Sequence, residues 1–467
     1  MLLPVTETAA LCARRRGLHE RLKGPALLAA GLPHSRNFRA NHYPFRASSH
    51  FLYFVGRSIA GAALLFHEGR TTLFVVPPDA VDALWHGPRP TLAAMKDELG
   101  LDQVRPLTDI DEVIAPLRSS VATLPTHDAG SAVWLWDRLG RRVAYSSGDN
   151  LEGMDGELAD AMIDLRLRHD DAALDQIRAA TAATVDAQVA GMAATRPGGN
   201  ERDVMAAIVG SLRHCGMADS FWPIVTVRGE VLHSTEHVNT IQDGDLVLAD
   251  VGGETPEGWA ADMTRCWPVS GRFSSTQRVL YNVVLTAQRE AIAAVQPGHG
   301  YRLVHEAAKR ATVSGLRDLG IFRGDVDGLL ERGAASIFFP HGVGHLMGLD
   351  VHDMEDLGDR AGYAAGRRRS DRFGDAYLRL DRTLEPSMVV TIEPGFYQVP
   401  AIVGDQAYAG AVGADLDRTE LAKYGDVRGI RIEDDVLVTA AGHEVLTRGA
   451  PKETAAIEVL MASQRSA

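Results

Sequence analysis

The sequence predicts an α+β chain of two domains, and three observations carry that prediction. Up to about residue 155, helical patterns alternate with short apolar runs punctuated by Gly and Pro. Beyond Phe221 the pattern changes to apolar strands, several of which end in a carboxylate. At 467 residues the chain is too long for one ordinary core. The expected division is an N-terminal α/β domain over residues 1–155 and a second, larger domain over 156–467.

Taken in order, Thr6–Leu22 carries spaced apolar residues between Arg and Glu, as an amphipathic helix does. Ala26–Ala30, Gly61–Phe66 and Thr71–Val76 read as buried strands, the last stopped by Pro77-Pro78. The polar, Gly-rich stretch Gly148–Gly153 reads as a linker. Arg168–Ala194 has Leu174, Ile177, Ala180, Ala183 and Ala187 at helical spacing and stops at Arg196-Pro197-Gly198-Gly199. Asn200 then caps a helix over Glu201–Cys215. Strands follow at Ile224–Val227, Leu246–Val251, Thr264–Val269, Met388–Ile392 and Ile430–Leu437, with helices over Thr276–Val295 and Tyr301–Leu319 between them.

Composition narrows the function classes. With 45% hydrophobic and 23% charged residues the chain is globular. A formal net charge of −13 argues against nucleic acid as a partner. The compact basic clusters Arg14–Arg16 and Arg367–Arg369 read as solvated faces. Cys12, Cys215 and Cys266 are odd in number and far apart, which implies no disulfide framework and a reducing compartment. No apolar region follows the N-terminal arginines as in a signal peptide, and apolar runs such as Ile59–Phe66 are too short to span a membrane. A soluble, cytoplasmic protein without membrane partners is expected.

Chemistry concentrates in the C-terminal half. Leu246–Gly252 is an apolar strand carrying Asp250 near its end, and Asp262 follows across the turn signal Thr255-Pro256-Glu257-Gly258. Aspartates on adjacent hairpin strands can face each other across a cation. Glu393 closes the apolar strand before Pro394-Gly395, and Glu433 lies inside the apolar run Gly429–Val436. A carboxylate in such a strand is costly unless it is paired or binds a metal. His345 belongs to a Gly-rich segment that also holds His341 and His352. Asp250, Asp262, His345, Glu393 and Glu433 thus form a ligand set of four carboxylates and one imidazole without thiolate. Such a set suits two hard-to-borderline divalent ions sharing carboxylates.

The motifs Ala249-Asp250-Val251-Gly252, Asp262-Met263-Thr264-Arg265, His341–His352, Thr391–Tyr397 and Arg431-Ile432-Glu433-Asp434-Asp435 resemble, in order and context, those of the pita-bread metallopeptidases. That family includes methionine aminopeptidase, Xaa-Pro aminopeptidase and prolidase. The resemblance spans roughly residues 160–460 and implies an α+β pita-bread catalytic domain. One departure is visible: the span from Asp250 to Asp262 is one residue longer than usual in the proline-specific branch, so a longer turn with both side chains still inward is expected. Val231-Leu232-His233 resembles that branch's substrate-side histidine motif. The segments His42–Gly56 and Leu84-Trp85-His86-Gly87 are similar to the Xaa-Pro aminopeptidase N-terminal domain, which helps cover the active site, often of a neighbouring subunit. Trp85 is accordingly either a substrate-side aromatic or a core residue.

The resemblance further implies the chemistry. Two divalent ions, Mn²⁺ first with Co²⁺ or Zn²⁺ as alternatives, would acidify a shared water. Asp262 and Glu433 would bridge them, Asp250 would hold one ion, and His345 with Glu393 the other. Glu393 would also pass the proton to the leaving proline nitrogen. His352 and His233 would hold the scissile carbonyl and the proline side, and His341 would support the ligands or orient the substrate. Arg431 would lock a ligand carboxylate by a bidentate contact. Tyr397 is either an oxyanion support or a packed aromatic. The substrate expected is a proline-containing peptide, and the assembly a homodimer or homotetramer. Arg379, within Ala376–Arg382, resembles the prolidase arginine that grips a dipeptide carboxylate; otherwise it is a solvated loop charge. The insertions Met354–Arg382 and Val399–Val427 also look prolidase-like. The N-terminal domain favours the aminopeptidase, with the dipeptidase as alternative and a non-catalytic pita-bread binding module as a remote one.

Overall fold

In a computed structural model, residues 3–145, 148 and 150–466 are described. The expected linker Gly148–Gly153 includes Asp149, which lies outside these residues. The first helix, α1 (Thr8–Arg21), precedes a four-stranded sheet with β1 (Ala26–Ala29), β2 (Ala63–His67), β3 (Arg70–Val75) and β4 (Gln103–Pro106) in that spatial order. The first three strands are antiparallel, and β4 joins β3 in parallel. Arg14 and Arg15 are not on a solvated face. Both are buried: Arg14 forms an ion pair with Asp170, and Arg15 donates to the carbonyls of Phe54 and Leu99. Long aliphatic stems with a multi-donor head let arginine staple elements together where periodicity alone suggests solvent. The second basic cluster is exposed as expected, with Arg367 reaching buried Asp381 and Arg369 reaching Asp359.

The larger half begins with α2 (Asp171–Ala194), whose N-cap Asp170 accepts from the Ala173 amide, and α3 (Glu201–His214), which carries the capping box of Asn200 and Asp203. Two further helices, α4 (Ser275–Ala294) and α5 (Tyr301–Asp318), pack together. α2 and α3 pack on β5 (Ile224–Thr226), β6 (Leu246–Val251) and β7 (Met263–Pro268), which form one sheet. Another sheet holds β8 (Val389–Ile392), and a two-stranded ladder pairs β9 (Gly395–Tyr397) with β10 (Gly429–Arg431). β8 pairs with β11 (Asp434–Thr439), which pairs in turn with β12 (Gly442–Val445). The single strand expected over Ile430–Leu437 is therefore two strands. It breaks at Ile432-Glu433, opposite the break at Glu393-Pro394. Proline has no amide to donate to a ladder, and the freed amide of Glu433 turns to the carbonyl of Thr264 instead.

One apolar core runs from α1 and β1–β3 into the larger half through Leu158, Met162, Trp259, Leu349 and Val390. Polar contacts reinforce it where residues 46–50 meet residues 349–356. Arg46 donates to the Leu349 carbonyl, Ser49 Oγ to Asp350, and His50 to Asp356 Oδ2 at 2.9 Å. Arg166, 2% exposed, sits behind this seam. Its Nη1 lies 2.9 Å from His50 Nδ1 and its Nη2 donates to Asp353 at 2.6 Å. Since arginine only donates, His50 accepts at Nδ1 and carries its proton on Nε2 toward Asp356. Arg166→Ala leaves Asp353 charged and buried without its cation. Chemical denaturation should show a loss of about 3–5 kcal/mol, and an unchanged midpoint would refute this role.

Candidate active site

Asp250 on β6 is paired with Thr264 on β7. Directly opposed residues share a sheet face, as do residues two apart on one strand, so Asp250, Thr264 and Asp262 project together. All three are buried. The longer Asp250–Asp262 turn leaves both side chains inward. Gly252 permits the close approach there: a Cβ would lie 1.8 Å from the carbonyl oxygen of Ala261. Glu393 and Glu433 occupy the two opposed breaks between the β8–β11 and β9–β10 ladders, which frees their side chains to turn to one point. The histidine segment reaches the same point because Gly344 lies against the Thr391 carbonyl, where a Cβ would come within 2.1 Å.

The cluster is one of unneutralised ligand atoms. His345 Nδ1 lies 2.9 Å from the Leu346 carbonyl, which can only accept. The proton is therefore on Nδ1, and the Nε2 lone pair faces Asp262 Oδ2 at 3.5 Å and Glu393 Oε1 at 3.7 Å. Asp262, His345 and Glu433 each offer a ligand atom within 4.8 Å of the others. Oδ1 of Asp250 and Oδ1 of Asp262 are buried without a hydrogen-bond partner. Orphaned carboxylate oxygens around a free imidazole nitrogen are what a hard-to-borderline divalent cation needs, so these residues fit such an ion.

Electrostatics agree. Burial, then repulsion by Glu433, Asp250 and Asp435, raises the Asp262 carboxyl well above its usual range. Glu433 is raised likewise, by burial and then by Glu393 and Asp250. Burial pushes Glu393 up to about 7 despite the attraction of Arg431. His345 is depressed by burial and by neighbouring His352, whose ring centre is 4.1 Å away. Counter-charge comes from Arg431, whose Nη2 donates to Asp250 Oδ2 at 2.6 Å. That contact is single, not bidentate: its Nη1 goes to Tyr397 Oη and its Nε to Thr264 Oγ1, since the guanidinium reaches three elements at once. Thr264 in turn donates to Glu433 Oε2 at 2.6 Å. Thr264 is not among the site residues that the sequence singles out, although its even spacing from Asp262 marks the shared face.

The cluster floors a cleft of about 590 Å³ whose walls include His233, His341, His352 and Arg379. Burial and then Arg431 hold His341 down to about 3. Its Nδ1 donates to the Gly342 carbonyl at 2.8 Å, so Nε2 accepts from the Tyr397 hydroxyl at 2.9 Å. Tyr397 is fully buried behind His341 with its hydroxyl proton directed to that ring. Trp85 is not a core residue, being 73% exposed on the helix Ala80–His86, and it does not line this cleft. The aromatic walls are Phe221, Trp222, Phe373 and Tyr377. They lie in segments without a periodic signal, and only the fold gathers them. Arg379 is not a free loop charge. It donates to Glu355 Oε2 at 2.7 Å.

The chain belongs to metallopeptidase family M24, whose model matches residues 175–440. Residues 11–124 match the aminopeptidase P N-terminal domain. A probable Xaa-Pro aminopeptidase of Talaromyces marneffei is 32% identical over 90% of this chain and 88% of its own length. The Xaa-Pro aminopeptidase of Haemophilus influenzae is 32% identical over 90% and 89%. The solved structure of Pseudomonas aeruginosa aminopeptidase PepP superimposes with a TM-score of 0.82 at 30% identity, covering 100% of both chains. The expected pita-bread fold with its N-terminal domain is thereby borne out. Among the described residues no helix is long and apolar enough to cross a membrane.

Because Asp262, Glu393 and Glu433 are raised in the fold, the metal-free protein holds more protons than its unfolded chain. The stability this contributes is complete below the ordinary carboxylate range and is lost as pH rises through about 7, the value to which Glu393 is pushed. Chelator-treated protein should therefore melt at progressively lower temperature between about pH 5 and 7.5, and Glu433→Gln should flatten that slope. A melting temperature indifferent to both would contradict the account.

Proposed function

We propose that this M24 metallopeptidase is a Xaa-Pro aminopeptidase that holds two divalent ions, most simply Mn²⁺, on Asp250, Asp262, His345, Glu393 and Glu433. The observation that carries the two-ion site is the convergence of these five side chains, with orphaned oxygens, on the floor of one cleft. The names and full-length coverage of the relatives support cleavage of the bond before proline. Bound ions supply Lewis-acid polarisation and acidify water at the cluster. Glu393 would take a proton from an attacking water and return it to the leaving proline nitrogen. His352 and His233, both in the cleft wall, would hold the scissile carbonyl and the proline side. Arg431 fixes Asp250, and His341 is a positioning group backed by Tyr397. Trp85 on its exposed helix would reach the cleft of a neighbouring subunit in a homodimer or homotetramer. A reducing, cytoplasmic setting suits three free thiols.

The dipeptidase alternative draws on Arg379, which stands in the cleft wall. Its engagement by Glu355 favours the aminopeptidase. Asp262→Asn should lose bound metal, measured by elemental analysis, and lower kcat by about 10²-fold or more; wild-type turnover would sink the two-ion site. Ala-Pro-Ala should be cleaved faster than Ala-Pro. Turnover of the dipeptide alone would replace this reading with the prolidase one.

A further inference from the structure

Two guanidinium groups line the cleft, Arg379 and Arg431, and no lysine does. Arg431 is spent on Asp250, Thr264 and Tyr397. Arg379 is therefore the cation able to receive a carboxylate that enters the cleft, where it stands beside Phe373 and Tyr377. We infer that Glu355 is a specificity-determining residue. By occupying Arg379, it withholds that cation from a substrate's free C-terminal carboxylate and biases the cleft toward peptides that continue past proline. The inference rests on the proline-specific reading above and adds what decides substrate length.

Position and charge both support this. Arg379 Nη1 donates to Glu355 Oε2 at 2.7 Å, and the same oxygen lies 3.2 Å from His352 Nδ1. Glu355 Oε1 is buried without a partner, so these two contacts on Oε2 hold the carboxylate. Its place is set by Met354, buried and in the left-handed region at φ 60°, which turns the chain just after the histidine segment. Burial disfavours the Glu355 anion, yet His352 and Arg379 outweigh it and hold the group at about 2. Glu355 is thus an anion throughout the working range. A dipeptide carboxylate must compete with it for the guanidinium. A longer peptide presents a neutral amide at that point and has no such competitor.

The test compares ligands of equal length that differ only in C-terminal charge. kcat/KM would be measured for Ala-Pro and Ala-Pro amide, and calorimetric affinity for proline and prolinamide, on the metal-loaded wild type, Glu355→Gln, Arg379→Met and the double variant. Glu355→Gln should raise the acid-to-amide ratio about tenfold, the scale of one charge-assisted contact. Arg379→Met should cancel that gain in the double variant, yet leave the ratio within about twofold in the wild-type background. A merely structural role for Glu355 would lower both members of each pair and leave the ratio unmoved, which would overturn the inference. So would a large drop in the ratio with Arg379→Met alone, a result that decides the question even where Glu355→Gln does not fold. Failure of the aminopeptidase reading appears elsewhere, as wild-type protein inert toward Ala-Pro-Ala.

Discussion

The structure is organised around one unfavourable arrangement: four carboxylates converging at one point, three of them buried. Each desolvated carboxylate disfavours its neighbours' ionisation, and the raised positions of Asp262, Glu393 and Glu433 register that cost. An apolar core of the same volume would be more stable. The surrounding residues limit the cost without abolishing it. Arg431 neutralises one oxygen of Asp250, Thr264 satisfies one of Glu433, and Oδ1 of Asp250 and Oδ1 of Asp262 stay unpaired for a cation. Next along the strand, Asp434 is treated in the opposite way. Burial would raise it, but Arg265 and Lys452 hold it well below the usual range, and Arg265 also binds the Glu433 carbonyl. Adjacent acids thus divide the work, one structural and one left open.

The histidines are differentiated by what lies on their second nitrogen. His345 and His341 both give Nδ1–H to a backbone carbonyl, which leaves Nε2 as an acceptor in each. The His345 nitrogen faces the acids, whereas that of His341 takes the Tyr397 proton. His352 has a carboxylate at Nδ1 instead, from Glu355. Its segment is also held from outside, since Arg46, Ser49 and His50 of the N-terminal half grip residues on both sides of it. The smaller domain therefore does more than sit beside the cleft. It fixes the loop on which His352 stands, and a second hollow of about 630 Å³ lies between the halves on the far side of that histidine.

Arg379 shows how a residue's identity and its availability can differ. A guanidinium in a peptidase cleft reads as a carboxylate receptor until its partner is known. Glu355 lies in an insertion without regular pattern, and nothing in the local sequence announces that it folds back under Arg379. Phe373 and Tyr377 reach the same wall from that insertion.

Much of the site was legible in the chain itself. Carboxylates at the ends of apolar strands are too costly to be accidental, so Asp250, Asp262, Glu393 and Glu433 declared themselves by burial pattern, and glycine around His345 by its conformational freedom. Strand parity relates Asp262 to Thr264, but the register that sets Thr264 opposite Asp250 came from the fold. Tertiary structure decided what depends on partners distant in sequence: the single rather than bidentate contact of Arg431, the concealment of Tyr397, the burial of Arg14 and Arg15, the exposure of Trp85 and the capture of Arg379. The physical reason is common to all of them. The cost of burying a charge can be read from its own strand, but what offsets that cost is set by side chains that only the fold brings within hydrogen-bond distance.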